Sequence, residues 1–322
     1  MHRVALLASV SLLVWVACLG AIAAVGDDRY REENERWRQK READLKADDG
    51  WLTVSGLFWL RPGETRIGGD PGNDILLPAH APASVGTLNL REGRAEFRAA
   101  PNVTVTRNGK PFDQGDIHSD ADSQPDTLAV GDVKLILIKR GDRLAIRLKD
   151  NQSPFRDNFA GLRWFPVRED WRIQAKFVAF PTKTKLVMET IVGGTDEMES
   201  PGYVTFECGG KVYQLQAAGQ KNGSLWFVFR DGTSGRTTAG GARQLYADSP
   251  KGDQVVLDFN KAVNLPCSYI PYATCPLAPP QNRLSLAIEA GELKYEPGRP
   301  VRPGDIKYEP ARPKRPAGES DR

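Results

Sequence analysis

From Trp51 onward the chain is cut into short runs that no helix would produce. "WLTVSGLFWL", "ETRIGG", "GTLNL", "AEFRA", "VTVTRNG", "DTLAVG", "VKLILIKRG" and "RLAIRLKD" follow one another to Asp150. Gly, Pro, Asn and Asp separate them every eight to twelve residues or so, the pattern of an all-β sandwich or barrel. Asn108-Gly109 is the dipeptide of a tight hairpin, because both central residues of that turn need positive φ. "VKLILI" is apolar at successive residues and predicts a strand covered on both faces.

A second set of β-rich runs starts near residue 151. "KLVMETIVGGTDEMESPGYVTFECGGKVYQLQAAG", "SLWFVFRDGTSG", "QLYAD" and "DQVVLDFNKAV" alternate with glycine turns, and "RLSLAIEAGEL" reads as a closing strand. The fold class is therefore mainly β. Two β domains are expected, a sandwich over 51–150 and a sandwich or barrel-like domain over 151–293. The stretch before them, 25–50, is charged and free of proline. It predicts a wet helix from about Asp28 to Lys46 with a narrow apolar stripe of Tyr30, Trp37 and Leu45.

The ends have another character. "MHRVALLASVSLLVWVACLGAIAAVGDD" has a basic start, an apolar run and the small-x-small site Ala21-Ile22-Ala23, so 1–24 reads as a signal peptide. A retained membrane anchor and lipidation at Cys18 are the competing readings, and each of the three exports the chain. A periplasmic or secreted protein is expected, or a membrane-anchored one if the segment stays. The tail, 294–322, repeats Lys-Tyr-Glu-Pro with an offset of thirteen residues and holds eight basic and five acidic side chains. Its proline content suits a disordered, extended arm. It is a solubilising tail or a tether to a membrane or cell-wall surface. Because the surplus of basic residues sits there, the body is almost neutral and carries no nucleic-acid footprint.

Catalytic templates fail in turn. His80 and His118 are the histidines left after signal removal, and no HExxH, CxxC, P-loop or GxSxG is present. "GGTDEMESPG" lacks calcium-loop spacing, and Ser234 in "GTSGR" has no neighbouring histidine in sequence. The unusual segment is "NLPCSYIPYATCPLAPPQNR", 264–283, with five prolines, two cysteines and two tyrosines. Its prolines hold it extended and cheap to order. Asp258, Asn260, Asn264, Asn282 and Arg283 bracket it with groups able to bond loose backbone amides and carbonyls. Such a loop either plugs one end of a β domain or walls a pocket. Export makes a Cys267–Cys275 disulfide the expectation, with Cys208 a free buried thiol. Two small buried thiols are the competing reading, and a metal site would have only half its ligands.

Two resemblances add to this reading. "TRIGGDPGNDILLP", "RNGKPF" and "LAVGDVKLIL" resemble the forkhead-associated (FHA) sandwich over about 62–140. The resemblance implies a phosphothreonine site built from an arginine after the Ile-Gly turn and a Ser-x-x-His motif. Here Gly69 holds the first position, and Ser84 is followed by Val85-Gly86-Thr87, so a sandwich without phosphothreonine binding is implied. "SPFRDNFAGLRWFPV", "FRDGTSGRTTAGGARQLYAD", "VVLDFNKAVNLPCSYIPYATCPLAPPQNRL" and "AIEAGE" resemble the DUF1684 family over about 40–293. That family is prokaryotic and of unknown function, so the resemblance brings no activity and no cofactor. The chain departs from the family pattern at Ala239, Gln244 and Val263, where aromatic residues are usual.

Two functions remain. One is a non-enzymatic envelope module that binds a protein or small molecule. The other is an enzyme with a pocket lined by Asp231, Arg243 and the Cys267–Cys275 loop. The candidate binding residues are Asp231, Arg243, Asn260, Tyr272 and Arg283. Their convergence on one cavity, or their dispersal, separates the two.

Overall fold

A computed structural model describes residues 28–221 and 223–297 of the 322-residue chain. The signal or anchor segment, Cys18 and the tail beyond 297 lie outside the described residues. The chain is mainly β.

The first helix, α1, runs over 28–46 as its charge pattern predicts. Eleven strands follow: β1 Val54–Trp59, β2 Gly63–Gly68, β3 Ile75–Leu76, β4 Gly86–Arg91, β5 Arg94–Ala99, β6 Thr106–Arg107, β7 Lys110–Pro111, β8 Gln114–Ile117, β9 Thr127–Val130, β10 Val133–Arg140 and β11 Arg143–Asp150. They form a six-stranded sheet in the order β1-β11-β10-β9-β6-β7 and a five-stranded sheet in the order β3-β2-β4-β5-β8. The two close on a core that includes Ile67, Leu88, Phe97, Leu135, Leu137, Ile146 and Leu148. Asn108 and Gly109 take φ of 51° and 80° between β6 and β7, the hairpin turn that dipeptide favours. In β10, Leu135 and Leu137 face the sandwich core while Ile138, on the opposite face, is fully buried as well. Both faces of this strand are therefore covered.

A one-turn helix, α2 Pro154–Asp157, leads to the second half. Its eight strands are β12 Arg172–Glu189, β13 Thr195–Cys208, β14 Lys211–Gln216, β15 Gly219–Lys221, β16 Ser224–Phe229, β17 Arg243–Ala247, β18 Gln254–Asp258 and β19 Val263–Asn264. Two four-stranded sheets result, β14-β13-β12-β18 and β15-β16-β17-β19, around Phe206, Phe227, Phe229, Leu257 and Phe259.

The closing strand expected in "RLSLAIEAGEL" does not form. Residues 283–293 are irregular apart from single bridges, Arg230 with Arg283 and Trp164 with Glu292. The reason is local. Arg243 donates from Nη1 to the Ala290 carbonyl at 2.6 Å and from Nη2 to the Ile288 carbonyl at 3.0 Å. A guanidinium takes the carbonyls that a neighbouring strand would have used.

A third core joins the halves. Leu45 of α1, Leu52, Val54 of β1, Leu186 and Met188 of β12 pack with Leu265, Tyr269, Ile270, Ala273, Cys275 and Ala278 of the proline-rich loop. The tip of the β12–β13 hairpin also lies on this loop: Ile191 N donates to the Cys275 carbonyl at 3.0 Å and Leu277 N to the Glu189 carbonyl at 2.7 Å. The loop is thus core on one side, and its other side is free to shape a surface.

Candidate functional site

That free side borders a cleft of about 1060 Å³. Four parts of the chain wall it: α1 through Arg41, the first sandwich through Lys139, Arg140 and Arg147, the second half through residues 195–198, Trp226, Gln244 and Tyr246, and the loop through Leu265, Pro266 and Thr274–Pro276. The proline-rich segment is therefore a pocket wall as well as a plug.

Arg147 reaches the cleft by strand alternation. In β11, Ile146 and Leu148 enter the sandwich core, so Arg147 points the other way. There Trp51 and Thr274 cover it. Its guanidinium lies 5.2 Å from the Trp51 ring centre, and Nη2 donates to Thr274 Oγ1 at 3.3 Å. The residue is 8% exposed, and Nε has no hydrogen-bond partner. Burial, with the Arg140 charge second, pushes the Arg147 pKa down to about 10. Arg140 is differently placed. It holds Asp120 through Nη1, at 3.1 and 2.9 Å, and donates from Nε to Thr274 Oγ1 at 2.9 Å.

The opposite wall is aromatic. Trp226 and Tyr246, cross-strand partners in β16 and β17, stack at 6.2 Å with an 18° interplanar angle. Trp226 Nε1 donates to Gln244 Oε1 at 3.0 Å, which fixes the indole. Asp196 on the hairpin also faces the cleft, and burial raises its pKa.

The candidate residues chosen from sequence do not converge here. Asp231 and Arg243 are paired at 2.5 Å with no side-chain exposure on either. Asp231 Oδ1 accepts from Thr233 N at 2.7 Å. Asn260 Nδ2 donates to the Arg168 carbonyl at 2.7 Å and to Tyr30 Oη at 3.0 Å. Tyr272 is half-buried, edge-on to Phe155 at 6.1 Å. Arg283 is exposed and donates to the Ala278 carbonyl at 3.1 Å. None of the five lines the cleft. Each meets another part of the same chain, so the pocket imagined from Asp231, Arg243 and the cysteine loop is not built.

The Cys267–Cys275 disulfide is not formed either. Cys208, Cys267 and Cys275 are free, and Cys208 is half-buried where full burial was expected. Cys267 N donates to Cys275 Sγ at 3.3 Å. The thiols lie side by side: the hydrogen bond with Cys275 lowers the Cys267 pKa, and Cys275 is held protonated by that bond and by burial. A pair satisfied in this way packs as two small apolar groups, Cys275 buried and Cys267 half-buried. Among the described residues no three His, Cys, Asp or Glu side chains are grouped to hold a metal ion.

Below Pro266, a buried polar cluster anchors the wall. Asn264 donates from Nδ2 to Glu292 Oε1 at 2.7 Å and to the Leu293 carbonyl at 2.8 Å. Tyr269 Oη donates to the same Glu292 oxygen. Burial raises the Glu292 pKa from 4.5 to about 7, against the pull of Arg41.

A family model described as a protein of unknown function (DUF1684) matches residues 157–293, which include the loop, Asp231, Arg243 and Glu292. The match makes the second half of the chain similar to the DUF1684 family. An uncharacterized protein of Haloarcula marismortui, solved by NMR, is 30% identical with a TM-score of 0.36, covering 43% of this chain and 78% of that one. The FHA-2 domain of a Mycobacterium tuberculosis ABC transporter is 29% identical with a TM-score of 0.22, covering 27% of this chain and 77% of that one. The FhaA FHA domain, solved in complex with an intracellular domain of another protein, is 15% identical with a TM-score of 0.21, covering 28% of this chain and 96% of that one. No curated protein matches. Of the three departures from the DUF1684 pattern, Gln244 is the one that lines the cleft; Ala239 and Val263 are buried.

Arg147, Trp51, Trp226 and Tyr246 were missed by sequence reasoning. The available signal was "VKLILI": a strand apolar on both faces must be covered, and an arginine in the adjoining strand on the covered face is then out of place.

Proposed function

We propose that the chain is an exported binding module of the cell envelope whose small-molecule ligand occupies the cleft between its two β halves. The observation that carries this reading is the cleft itself. It joins a buried cation on one wall to a stacked aromatic pair on the other, the mix of apolar surface and few fixed polar groups that small-molecule sites use. Polar groups elsewhere, among them Asp231, Arg243 and Asn260, are spent on holding irregular backbone. The N-terminal sequence supports export, and the basic, proline-rich composition of the tail would suit contact with an anionic surface.

The enzymatic alternative keeps one observation, the Cys275 thiol at the cleft wall. A ligand that comes back chemically changed after incubation with the protein would move the balance toward it.

Native mass spectrometry of the full chain, purified from the envelope of its own host, tests the reading. A retained mass that disappears on denaturation is the expected result. A bare protein, together with no thermal shift across a broad metabolite library, would count against it.

A further inference from the structure

Arg38 and Arg147 are the buried arginines that no carboxylate answers among the described residues, and Arg147 is the one that lines the cleft. Arg243 is answered by Asp231. Arg38 donates to the Phe165 carbonyl at 2.9 Å. Arg41, half-buried on the same cleft, donates to the Asn264 carbonyl at 3.4 Å and feels the charge of Glu292. Arg147 has the Thr274 hydroxyl, the face of Trp51 and the more distant charge of Asp120, and no carboxylate stands within 4.0 Å of it among the described residues. Arg140, its cationic neighbour, is neutralised by Asp120. A buried cation is retained at a cost unless something of opposite charge meets it, and the Arg147 side chain lines the cleft. The guanidinium, planar and charged, suits an oxyanion at the part of it that borders the cleft.

We infer that the cleft recognises an organic oxyanion, a carboxylate or phosphate monoester carried on a flat aromatic ring, with the oxyanion on Arg147 and the ring against Trp226 and Tyr246. This deepens the proposed function and rests on it. The ring assignment follows from the stacked pair, whose faces lie 18° from parallel and whose indole is held by Gln244. The limit on charge follows from the hairpin wall: Asp196 and Glu197 border the same space, so a chain of phosphates would meet carboxylates as well as Arg147. The volume fits a small molecule rather than a polymer.

Calorimetric titration of the full chain with benzoate, phenyl phosphate, inorganic phosphate and neutral benzyl alcohol tests this. Wild type binds benzoate or phenyl phosphate, and binds benzyl alcohol and inorganic phosphate far more weakly. Arg147→Met weakens the aromatic anion by roughly 10- to 100-fold, the range for a hydrogen bond to a charged group, and melts at the same temperature as wild type or higher. Arg147→Gln, which keeps a donor for Thr274 without the charge, repeats the loss and decides the matter if the Met variant does not fold. Benzyl alcohol binding as tightly as the anions, with both variants unchanged, would overturn the anion assignment while leaving the cleft a ligand site. Inorganic phosphate binding as tightly as phenyl phosphate would overturn the ring assignment. If none of the four probes binds wild type, the inference fails; if native mass spectrometry also finds no ligand, the binding reading fails with it.

Discussion

Asp231 and Arg243 show what a fully buried ion pair is for in this chain. The pair holds residues 288–290 where a strand was expected, by giving their carbonyls donors. Asp231→Ala removes the counter-charge and leaves Arg243 stranded, so it should cost about 3–5 kcal/mol, read by urea unfolding. Glu292 offers a pH signature. Its folded-state pKa of about 7 lies above the ordinary 4.5 because of burial. Between those values the folded chain keeps a proton that the unfolded chain has lost. Stability therefore falls as pH rises from 4.5 to 7, by about 3 kcal/mol for this group, and stays lower above that. Glu292→Gln should flatten the window and be more stable than wild type at pH 8; unfolding at pH 5 and pH 8 checks both. The sequence marked Asp231, Arg243 and Asn260 as polar groups with work to do, but whether that work faces inward or toward a ligand depends on cover. The cover of Arg147 comes from Trp51 and Thr274, so distant in sequence that "RLAIRLKD" reads like any strand with a wet face.

Helix α1 was legible in position and only partly in role. Tyr30, Trp37 and Leu45 gave a narrow stripe, yet Asn34 and Arg38 are buried beside them. A stripe with polar members reads as solvated until its partners are known. Here the partners belong to the second half. Tyr30 Oη donates to Asp258 Oδ1 at 2.7 Å, and Glu42 Oε1 accepts from Leu162 N at 2.9 Å. Tyr30→Phe leaves Asp258 and Asn260 each short of a partner and should cost about 1–3 kcal/mol, again by urea unfolding. The proline-rich loop was legible as rigid, because five prolines restrict it before folding. Its cysteines left two readings open, because proximity in sequence suits both a bond and a packed pair. Alkylation of the denatured, unreduced protein should label Cys208, Cys267 and Cys275 alike; a Cys267–Cys275 peptide that labels only after reduction would contradict the free thiols.

At the scale of the molecule, strand punctuation carried the mainly β architecture, since turn residues act locally. The cleft was not legible, because its walls are drawn from residues 41 to 276 and meet only through the core shared by α1, β1, β12 and the loop. What that cleft holds decides the function of the chain. A crystal structure of the full chain grown with phenyl phosphate tests it most directly. The phosphate should lie with an oxygen roughly 2.7–3.2 Å from a guanidinium nitrogen of Arg147, and the phenyl ring against Trp226 and Tyr246. Phosphate bound elsewhere on the surface, with an unaltered cleft and Arg147 still meeting only Thr274 and Trp51, would contradict it.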